Sequence, residues 1–278
     1  MRNENRRLIE YFFPPVLLDG TRTVRARLQH LGLRAVLRPN VQLCGAYENE
    51  TVYVLGNGPS LASVDRSLIR GKRVIVMNSF DQAEWKNEIE IVAHCVGEPR
   101  GCPSWGEHIV GNINGTNGGS YWLHFTSRNH LKGINDAKRC YYVFPCVEPG
   151  LWPSRKRVRL HSSTLGYATT AQLAIQVALY MGFGRIVLLG FDHDWLASPK
   201  YSRHFYSNDK DGSDIIGTLN YLDIIEMGRR MWTIYYKLKG IARSHGATIY
   251  NMTKDSYLDV FERIDSDNTG DARLRYGS

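Results

Sequence analysis

The clearest structural signal in the chain lies in residues 51–61, which read TVYVLGNGPSL. The first five residues are β-branched, aromatic or aliphatic and are typical of a strand, whereas the next six contain two glycines and a proline and are typical of a turn. A strand of this kind, followed by a polar glycine turn, favours an α/β domain. The segment therefore predicts the first strand of a sheet, with its turn at the carboxyl edge.

Similar apolar runs recur along the chain and alternate with helical patterns. Strands are predicted at residues 73–77, 89–93, 141–144, 186–189 and 247–250, and helices at about 169–181 and 218–244. Residues 101–119 are rich in Gly and Asn, and they predict a long loop or lid. The alternation predicts an α/β fold, an open and mostly parallel Rossmann-like sheet with helices on both faces, in which ligands bind beyond the carboxyl ends of the strands.

The chain before residue 51 has a different character. Residues 1–50 are rich in arginine, and Val24, Leu28, Leu31 and Ala35 recur at helical spacing between the arginines. This pattern predicts an N-terminal basic helical extension, which either packs on the main domain or lies on an anionic membrane surface or acceptor. We therefore divide the chain into this extension, a Rossmann-like domain over 51–265 and a polar tail over 266–278.

Composition restricts the class of protein. Of the 278 residues, 43% are hydrophobic and 22% charged, which is enough apolar surface for a folded core. No apolar run approaches the roughly 20 residues of a membrane-spanning helix, and the charged Met1–Glu10 lacks the apolar core of a signal peptide. The five cysteines are odd in number and show no two-residue gap, so reduced thiols are expected. We predict a cytoplasmic protein, with peripheral contact to the inner face of the membrane through the basic extension as the open alternative.

The net charge of +8 favours anionic partners. The basic residues are spread along the chain and no module of interleaved aromatic and basic residues is present, so no nucleic-acid partner is predicted. In the glycine turn, Gly56 and Gly58 let the backbone approach a phosphate, and the Asn57 amide or Ser60 hydroxyl can donate hydrogen bonds. The turn lacks the third glycine of the dinucleotide fingerprint and the Gly-Lys-Ser/Thr of a P-loop, which disfavours NAD binding and ATP hydrolysis.

An ordered set of segments resembles two related groups of proteins. The set comprises VLGNGPSL at 54–61, Asn78, Thr169-Thr170 opening a helix that ends in Gly182-Phe183, and Gly190-Phe191-Asp192. One group is the small, metal-independent bacterial sialyltransferases that use CMP-sialic acid. The other is the superfamily of archaeal hydroxymethylpterin pyrophosphokinase-like proteins and flagellin glycosyltransferases, to which residues 203–206 and 249–263 are more similar. The resemblance covers about Val52 to Arg263.

The resemblance implies a set of donor-binding residues. Gly56, Asn57, Gly58 and Ser60 would contact the donor's phosphate and nucleotide, and Asn78 its ribose or base. Thr169 and Thr170 would contact the donor from the start of a helix, and Asp192 is a donor-binding or structural carboxylate. The structural alternatives are that the asparagines only close turns and the threonines only cap the helix.

The resemblance also implies the catalytic residues. His204 would be the general base toward the acceptor hydroxyl, a task that suits imidazole because its pKa of about 6.5 lies near the working pH. Tyr201 and Tyr206 would donate hydrogen bonds to the departing phosphate. The alternative is that residues 203–206 anchor a loop.

Asp192-His193-Asp194 has the Asp-x-Asp form with which many nucleotide-sugar transferases hold a divalent metal. Residues 209–211 and 265–267 match the same short pattern, so we predict no required metal and keep Mg²⁺ or Mn²⁺ at Asp192 and Asp194 as the alternative. The sialyltransferases carry a tyrosine just after their Gly-x-Asp, whereas this chain has His193, which leaves the donor sugar open.

These observations predict a glycosyltransferase-like enzyme with no required cofactor. It would transfer a sugar, preferably a CMP-linked acidic one, from a nucleotide-sugar donor to a surface glycan or glycolipid acceptor. The first alternative is an ATP-dependent pyrophosphokinase that acts on a pterin alcohol and needs Mg²⁺. The second is a non-catalytic accessory protein of polysaccharide assembly.

Overall fold

Among the described residues, ten strands and two α-helices have defined bounds, and residues 28, 31–37, 110, 111 and 113 are also helical. The structure, a computed structural model, describes residues 28, 31–80, 83, 85–97, 110, 111, 113, 118–129, 139–146, 157–162, 164–197 and 220–265. The strands are β1 Thr51–Leu55, β2 Arg73–Met77, β3 Glu90–Val96, β4 Ser120–His124, β5 Cys140–Val143, β6 Pro145–Cys146, β7 Thr164–Leu165, β8 Arg185–Leu189, β9 Thr248–Asn251 and β10 Glu262–Arg263. The helices are α1 Thr170–Tyr180 and α2 Tyr221–Ser244.

Eight of the strands form one sheet in the order β10-β9-β8-β1-β2-β3-β4-β5, and β6 pairs with β7 in a separate two-stranded sheet. Every pairing in the large sheet is parallel. From β1 the chain builds outward through β2 to β5, and then returns to the other side of β1 with β8 to β10. The predicted open, parallel, Rossmann-like α/β sheet is therefore confirmed, and its strand order reverses between β1 and β8.

The sheet is buried because apolar side chains point to both of its faces. In β1, Val52 and Val54 belong to the cluster that includes α1 and α2, whereas Tyr53 and Leu55 belong to the cluster on the opposite face. Residues 172–180 of α1 are all buried. On the opposite face the described residues form short 3₁₀ turns, at Pro59–Ser63, Arg66–Leu68 and Lys86–Glu88.

The direction of α1 places its beginning at the carboxyl edge of the sheet. The helix ends at Tyr180 and is followed by Gly182, whose φ of 93° suits glycine, and β8 starts at the amino edge three residues after Gly182. An 11-residue helix that finishes at the amino edge must begin near the carboxyl edge. The N-cap residue Thr169 accepts a hydrogen bond from the backbone N–H of Gln172.

Two parts of the sheet differ from the sequence-based expectation. β4 and β10 are not predicted, and β4 begins directly after the segment predicted as a loop. Within that segment residues 110, 111 and 113 are helical, and Ile113 is buried against β3 and β4. Because residues 101–119 have a turn-like composition, the sequence does not predict these helical residues, which are stabilised by packing on the sheet.

The last part of the N-terminal extension is attached to the main domain. Residues 31–37 are helical, and Asn40 donates hydrogen bonds from Nδ2 to the carbonyl oxygens of Tyr142 and Leu160, at 2.8 and 2.7 Å. Further along, the Tyr47 N–H donates to the Met181 carbonyl at the end of α1. The predicted apolar stripe, in contrast, is not buried at its described leucines, since Leu28 and Leu31 are each 64% exposed. Val24 lies outside the described residues.

Crossing a bilayer requires a helix of about 20 predominantly apolar residues. None of the described helices combines that length with that apolar character.

Candidate functional site

The candidate site lies at the carboxyl edge of the sheet, where β1 and β8 are neighbours. In parallel α/β sheets the strand order reverses at such a point, and the crevice beyond it is where ligands bind. Here the turn after β1 is joined to the turn after β8. Gly56 N–H donates to the Leu189 carbonyl at 2.7 Å, and Gly58 N–H donates to the Gly190 carbonyl at 3.0 Å.

Both glycines are needed for this close approach of the two turns. A Cβ added at Gly56 would overlap the Gly190 carbonyl oxygen and lie 2.8 Å from its carbon. A Cβ added at Gly58 would lie 2.7 Å from both the Asp192 Cγ and the Gly190 carbonyl oxygen. The position beside the glycine turn, where the sequence predicts a phosphate, is therefore occupied by the β8 turn and the Asp192 carboxylate.

Asp192 binds the residue that follows the glycine turn. Its Oδ1 accepts from the Ser60 backbone N–H at 3.1 Å, and its Oδ2 accepts from the Ser60 hydroxyl at 2.8 Å. Burial raises the pKa of the Asp192 carboxyl, the two hydrogen bonds from Ser60 oppose this shift, and the nearby Asp194 carboxylate adds to it. Both Ser60 groups that the sequence predicts for a donor phosphate are therefore engaged by a carboxylate.

The β8 turn is held from its other side by the segment after β9. Thr253 Oγ1 accepts from the Phe191 N–H at 3.0 Å, and the Ser256 hydroxyl donates to the Phe191 carbonyl at 2.6 Å. The Tyr257 N–H donates to the Asp192 carbonyl at 2.8 Å. Asp192 is consequently fixed on both its backbone and its side chain.

Asn57 and Asn78 place two amide oxygens at the ends of β1 and β2. Asn57 is 7% exposed and donates from Nδ2 to the Met77 carbonyl at 3.2 Å, while its buried Oδ1 has no hydrogen-bond partner among the described residues. Asn78 follows Met77 with a left-handed φ of 48°, and its buried Oδ1 is likewise without a partner in the described part of the chain. The backbone of Asn78 is held by its N–H, which donates to the Cys95 carbonyl, and by His94 Nε2, which lies 2.6 Å from its carbonyl oxygen. A strained backbone and unpaired buried acceptors are features that cluster at functional sites.

Thr169 and Thr170 begin α1 at the same edge of the sheet. Thr169 caps the helix, as described above, and Thr170 Oγ1 accepts from the Gly97 N–H at 3.3 Å. Gly97 directly follows β3. The two threonines therefore have structural partners and also lie beside the ends of the central strands.

His193 connects the β8 turn to the helices. The residue has a left-handed φ of 54°, and its ring contacts the rings of Trp195, Trp232 and Tyr235. The Trp195 indole donates to Nδ1 at 3.3 Å, and since an indole N–H can only donate, the ring proton lies on Nε2 and is shared with the Tyr235 hydroxyl at 3.0 Å. Burial lowers the pKa of His193 to about 4, so the ring is neutral at neutral pH. The Tyr235 hydroxyl also interacts with the side chain of Thr169, which links the β8 turn to the start of α1.

The structure thus brings most of the predicted donor-binding residues to one edge. Residues in direct contact are Gly58, Ser60 and Asp192, and Asn57 reaches the carbonyl that precedes Asn78. The predicted catalytic residues His204, Tyr201 and Tyr206 lie outside the described residues. Asp194 begins a 3₁₀ turn close to Asp192, and no group of three His, Cys, Asp or Glu side chains with the placement of metal ligands occurs among the described residues.

One further polar residue lies at this edge. His124 is the last residue of β4 and is 6% exposed. No motif in the sequence marks it, since residues 120–124 are not predicted as a strand. The only signal available in the sequence is a polar residue at the end of the short aromatic run Tyr121-Trp122-Leu123.

Comparisons with known proteins identify no relative of this chain. No family model matches the chain, and searches of curated proteins and of solved structures likewise find no match. The geometry of the carboxyl edge is therefore the basis of the functional argument.

Proposed function

We propose that this chain is a glycosyltransferase that binds a nucleotide-sugar donor at the carboxyl edge of β8, β1 and β2. It would transfer the sugar, a CMP-linked acidic one, to a surface glycan or glycolipid. The observation that carries the proposal is the pair of buried amide oxygens of Asn57 and Asn78, which have no partner among the described residues and lie on adjacent strand ends beside the reversal of strand order.

The chemistry of these oxygens favours a nucleoside. Leaving a buried acceptor without a donor costs about 1–3 kcal/mol, which a ligand that brings N–H or O–H groups recovers. Ribose hydroxyls and the amino group of a base are such donors, whereas the oxygens of an ionised phosphate are acceptors only. A nucleoside therefore complements Asn57 and Asn78, and a bare phosphate does not.

The donor phosphate belongs at a different part of the edge from Ser60. A phosphate at Ser60 would have to displace or approach the Asp192 carboxylate, which like-charge repulsion opposes. The start of α1 lies at the same edge, and the positive end of its dipole stabilises negative charge. The proposal accordingly assigns the phosphate to the start of α1, at Thr169 and Thr170.

The transfer step follows from the resemblance to the sialyltransferases. His204 takes the proton of the acceptor hydroxyl, and the acceptor oxygen attacks the anomeric carbon of the sugar. The bond from that carbon to the phosphate oxygen breaks, and the nucleotide leaves with the electron pair while Tyr201 and Tyr206 donate hydrogen bonds to it. The step needs no oxidant or reductant, and Mg²⁺ or Mn²⁺ at Asp192 and Asp194 is the alternative arrangement.

The proposal places the enzyme in the cytoplasm, at the inner face of the membrane. The exposed Leu28 and Leu31 support this location, because apolar side chains within a basic segment can insert among anionic lipids.

Ligand-induced stabilisation tests the nucleotide preference. The melting temperature is measured with CMP, UDP, GDP and ATP, each with and without Mg²⁺ or Mn²⁺. We expect CMP to stabilise the protein without metal, since a ligand at about 100 times its Kd adds about 2.7 kcal/mol. A response to ATP alone that requires Mg²⁺ would favour the pyrophosphokinase, and no response to any nucleotide would favour the accessory protein.

Variants then test the site itself. Asn57→Ala and Asn78→Gly should each weaken CMP binding, and glycine at 78 accommodates the left-handed backbone. Asn40→Ala is a matched control, because Asn40 also has a buried Oδ1 without a partner among the described residues. It lies by β5, four strands and roughly 19 Å from β1. Asn40→Ala should lower stability and leave the CMP affinity unchanged.

A further inference from the structure

His124 at the end of β4 has one ring nitrogen committed to its own turn. Nδ1 lies 2.7 Å from the Thr126 hydroxyl and accepts from the Thr126 backbone N–H at 3.3 Å. Because a backbone N–H can only donate, Nδ1 is the acceptor and the ring proton resides on Nε2. The turn thereby fixes both the tautomer and the orientation of the ring.

The other ring nitrogen, Nε2, carries the ring proton and can donate a hydrogen bond. Within the part of the chain that the structure describes, Nε2 of His124 makes no hydrogen bond. The residue is only 6% exposed, and burial lowers the pKa of the ring to about 4, so Nε2 carries a proton and no charge at neutral pH. This N–H is therefore available to donate a hydrogen bond to a molecule bound at the carboxyl edge, where β4 ends.

The strand register places His124 beside the candidate site. Val96 pairs with Leu123, so the next residues, Gly97 and His124, lie side by side at the carboxyl edge. Gly97 is hydrogen-bonded to Thr170 at the start of α1. His124 is therefore one strand spacing, about 4.8 Å, beyond the strand whose end contacts the predicted donor-binding threonine.

We propose that the Nε2–H of His124 donates a hydrogen bond to an oxygen of the bound nucleotide sugar. This inference rests on the proposed function and adds a ligand contact on β4 to those on β1 and β2. Two oxygens of such a donor have the required chemistry, the carbonyl oxygen of the pyrimidine base and the carboxylate of the acidic sugar. Since Nε2 is protonated and Nδ1 is engaged, His124 is a binding residue and not the base that accepts the acceptor's proton.

Titration calorimetry of two variants tests the contact. His124→Phe retains an aromatic ring and removes the donor, whereas His124→Gln retains a side-chain N–H. Kd values are measured for CMP, which has the base and phosphate only, and for a CMP-linked acidic sugar. We expect His124→Phe to weaken binding about tenfold, as the loss of one hydrogen bond to a buried partner does, and His124→Gln to weaken it less.

The two ligands distinguish the two sources of the oxygen. A loss for both ligands assigns the contact to the base, and a loss for the CMP-linked sugar alone assigns it to the carboxylate. Unchanged Kd values for both, in a His124→Phe protein that folds as judged by circular dichroism, would overturn the contact while leaving the proposed function standing. If the wild-type protein binds neither ligand, both proposals are overturned.

A control variant separates binding from the general effects of losing a histidine whose ring nitrogen accepts a backbone N–H. His245 caps the end of α2 and accepts from the Val158 N–H at 3.0 Å through Nε2. The chain passes from it directly into β9, which begins at the amino edge of the sheet. His245→Phe should lower the melting temperature and leave both Kd values unchanged. If His124→Phe fails to fold, His124→Leu replaces it as the variant without a donor. Weaker binding by His124→Leu than by His124→Gln then supports the contact, and equal Kd values for these two variants would overturn it.

Discussion

Gly56→Ala should destabilise this protein far more than an alanine normally does. Gly56 ends the first central strand, and its N–H donates to the Leu189 carbonyl across the reversal of strand order. The added methyl group would lie 2.8 Å from the Gly190 carbonyl carbon, whereas ordinary contact begins at 3.4 Å. The obstacle is backbone at the end of a fully buried strand, so no side chain can rotate away to make room.

The magnitude follows from the contacts that must be given up. Separating the two turns weakens the hydrogen bonds that Gly56 and Gly58 donate to Leu189 and Gly190, at about 1 kcal/mol each. Overpacking of a well-packed region costs a further 1–3 kcal/mol or so. We therefore expect a loss of roughly 3–5 kcal/mol, a large part of the 5–15 kcal/mol or so that stabilises a typical domain.

Urea unfolding, followed by circular dichroism, measures this loss. Gly240→Ala is the matched control, because Gly240 lies within α2 with no atom within 4 Å of the added Cβ. It should stabilise the protein by roughly 0.5–1 kcal/mol through the higher helix propensity of alanine. A Gly56→Ala variant within about 1 kcal/mol of the wild type, with an unchanged dependence on urea, would refute the claim that the two turns are rigidly packed.

Three further predictions concern the Asp192 carboxylate, the His193 ring and the exposed leucines of the basic extension. Asp192→Asn should tighten CMP binding several-fold, as measured by calorimetry at low salt, because it removes a negative charge from the phosphate-binding edge. The amide can still pair with Ser60. Weaker binding would contradict the expected repulsion between the Asp192 carboxylate and the phosphate. Lowering the pH from 6.5 to 4 should reduce wild-type stability, because the unfolded chain then binds protons that the folded protein does not. The lowering of the His193 pKa from 6.5 to about 4 accounts for up to about 3 kcal/mol of this loss, and that of His124 adds to it. His193→Asn, which tolerates the left-handed backbone, should flatten that fall in unfolding experiments at several pH values, and an unchanged slope would exclude His193 as its cause. Leu31→Ser should weaken the sedimentation of the protein with anionic lipid vesicles without changing its melting temperature. Val41→Ser, at another exposed site, should leave the sedimentation unchanged. Equal effects of the two variants would argue against a specific membrane contact.

The strands that the sequence predicts well are those whose side chains are apolar on both faces. β1 and β2 begin and end at the predicted residues, since each is a run of β-branched and aliphatic residues closed by Gly56 or Asn78. β4 contains Ser120 and His124 and is nevertheless buried throughout. The polar atoms at its start are paired inside the sheet, since the Ser120 hydroxyl donates to the Val92 carbonyl and accepts from the Trp122 indole. Such pairing depends on the neighbouring strand and leaves no periodic pattern in the sequence.

The sequence predicts where the candidate site lies, but it does not predict which contacts the residues of the site make. Residues 56–60 are a turn in any context, because two glycines and a proline end a strand, so the sequence alone places polar groups at the carboxyl edge. That Ser60 is bound by Asp192, and that Gly58 serves the approach of the β8 turn, depends on residues 132 positions apart in the chain. Only the parallel pairing of β1 with β8 brings them into contact, because side-chain hydrogen bonds and steric overlap act over a few ångströms of space, whatever the distance along the chain.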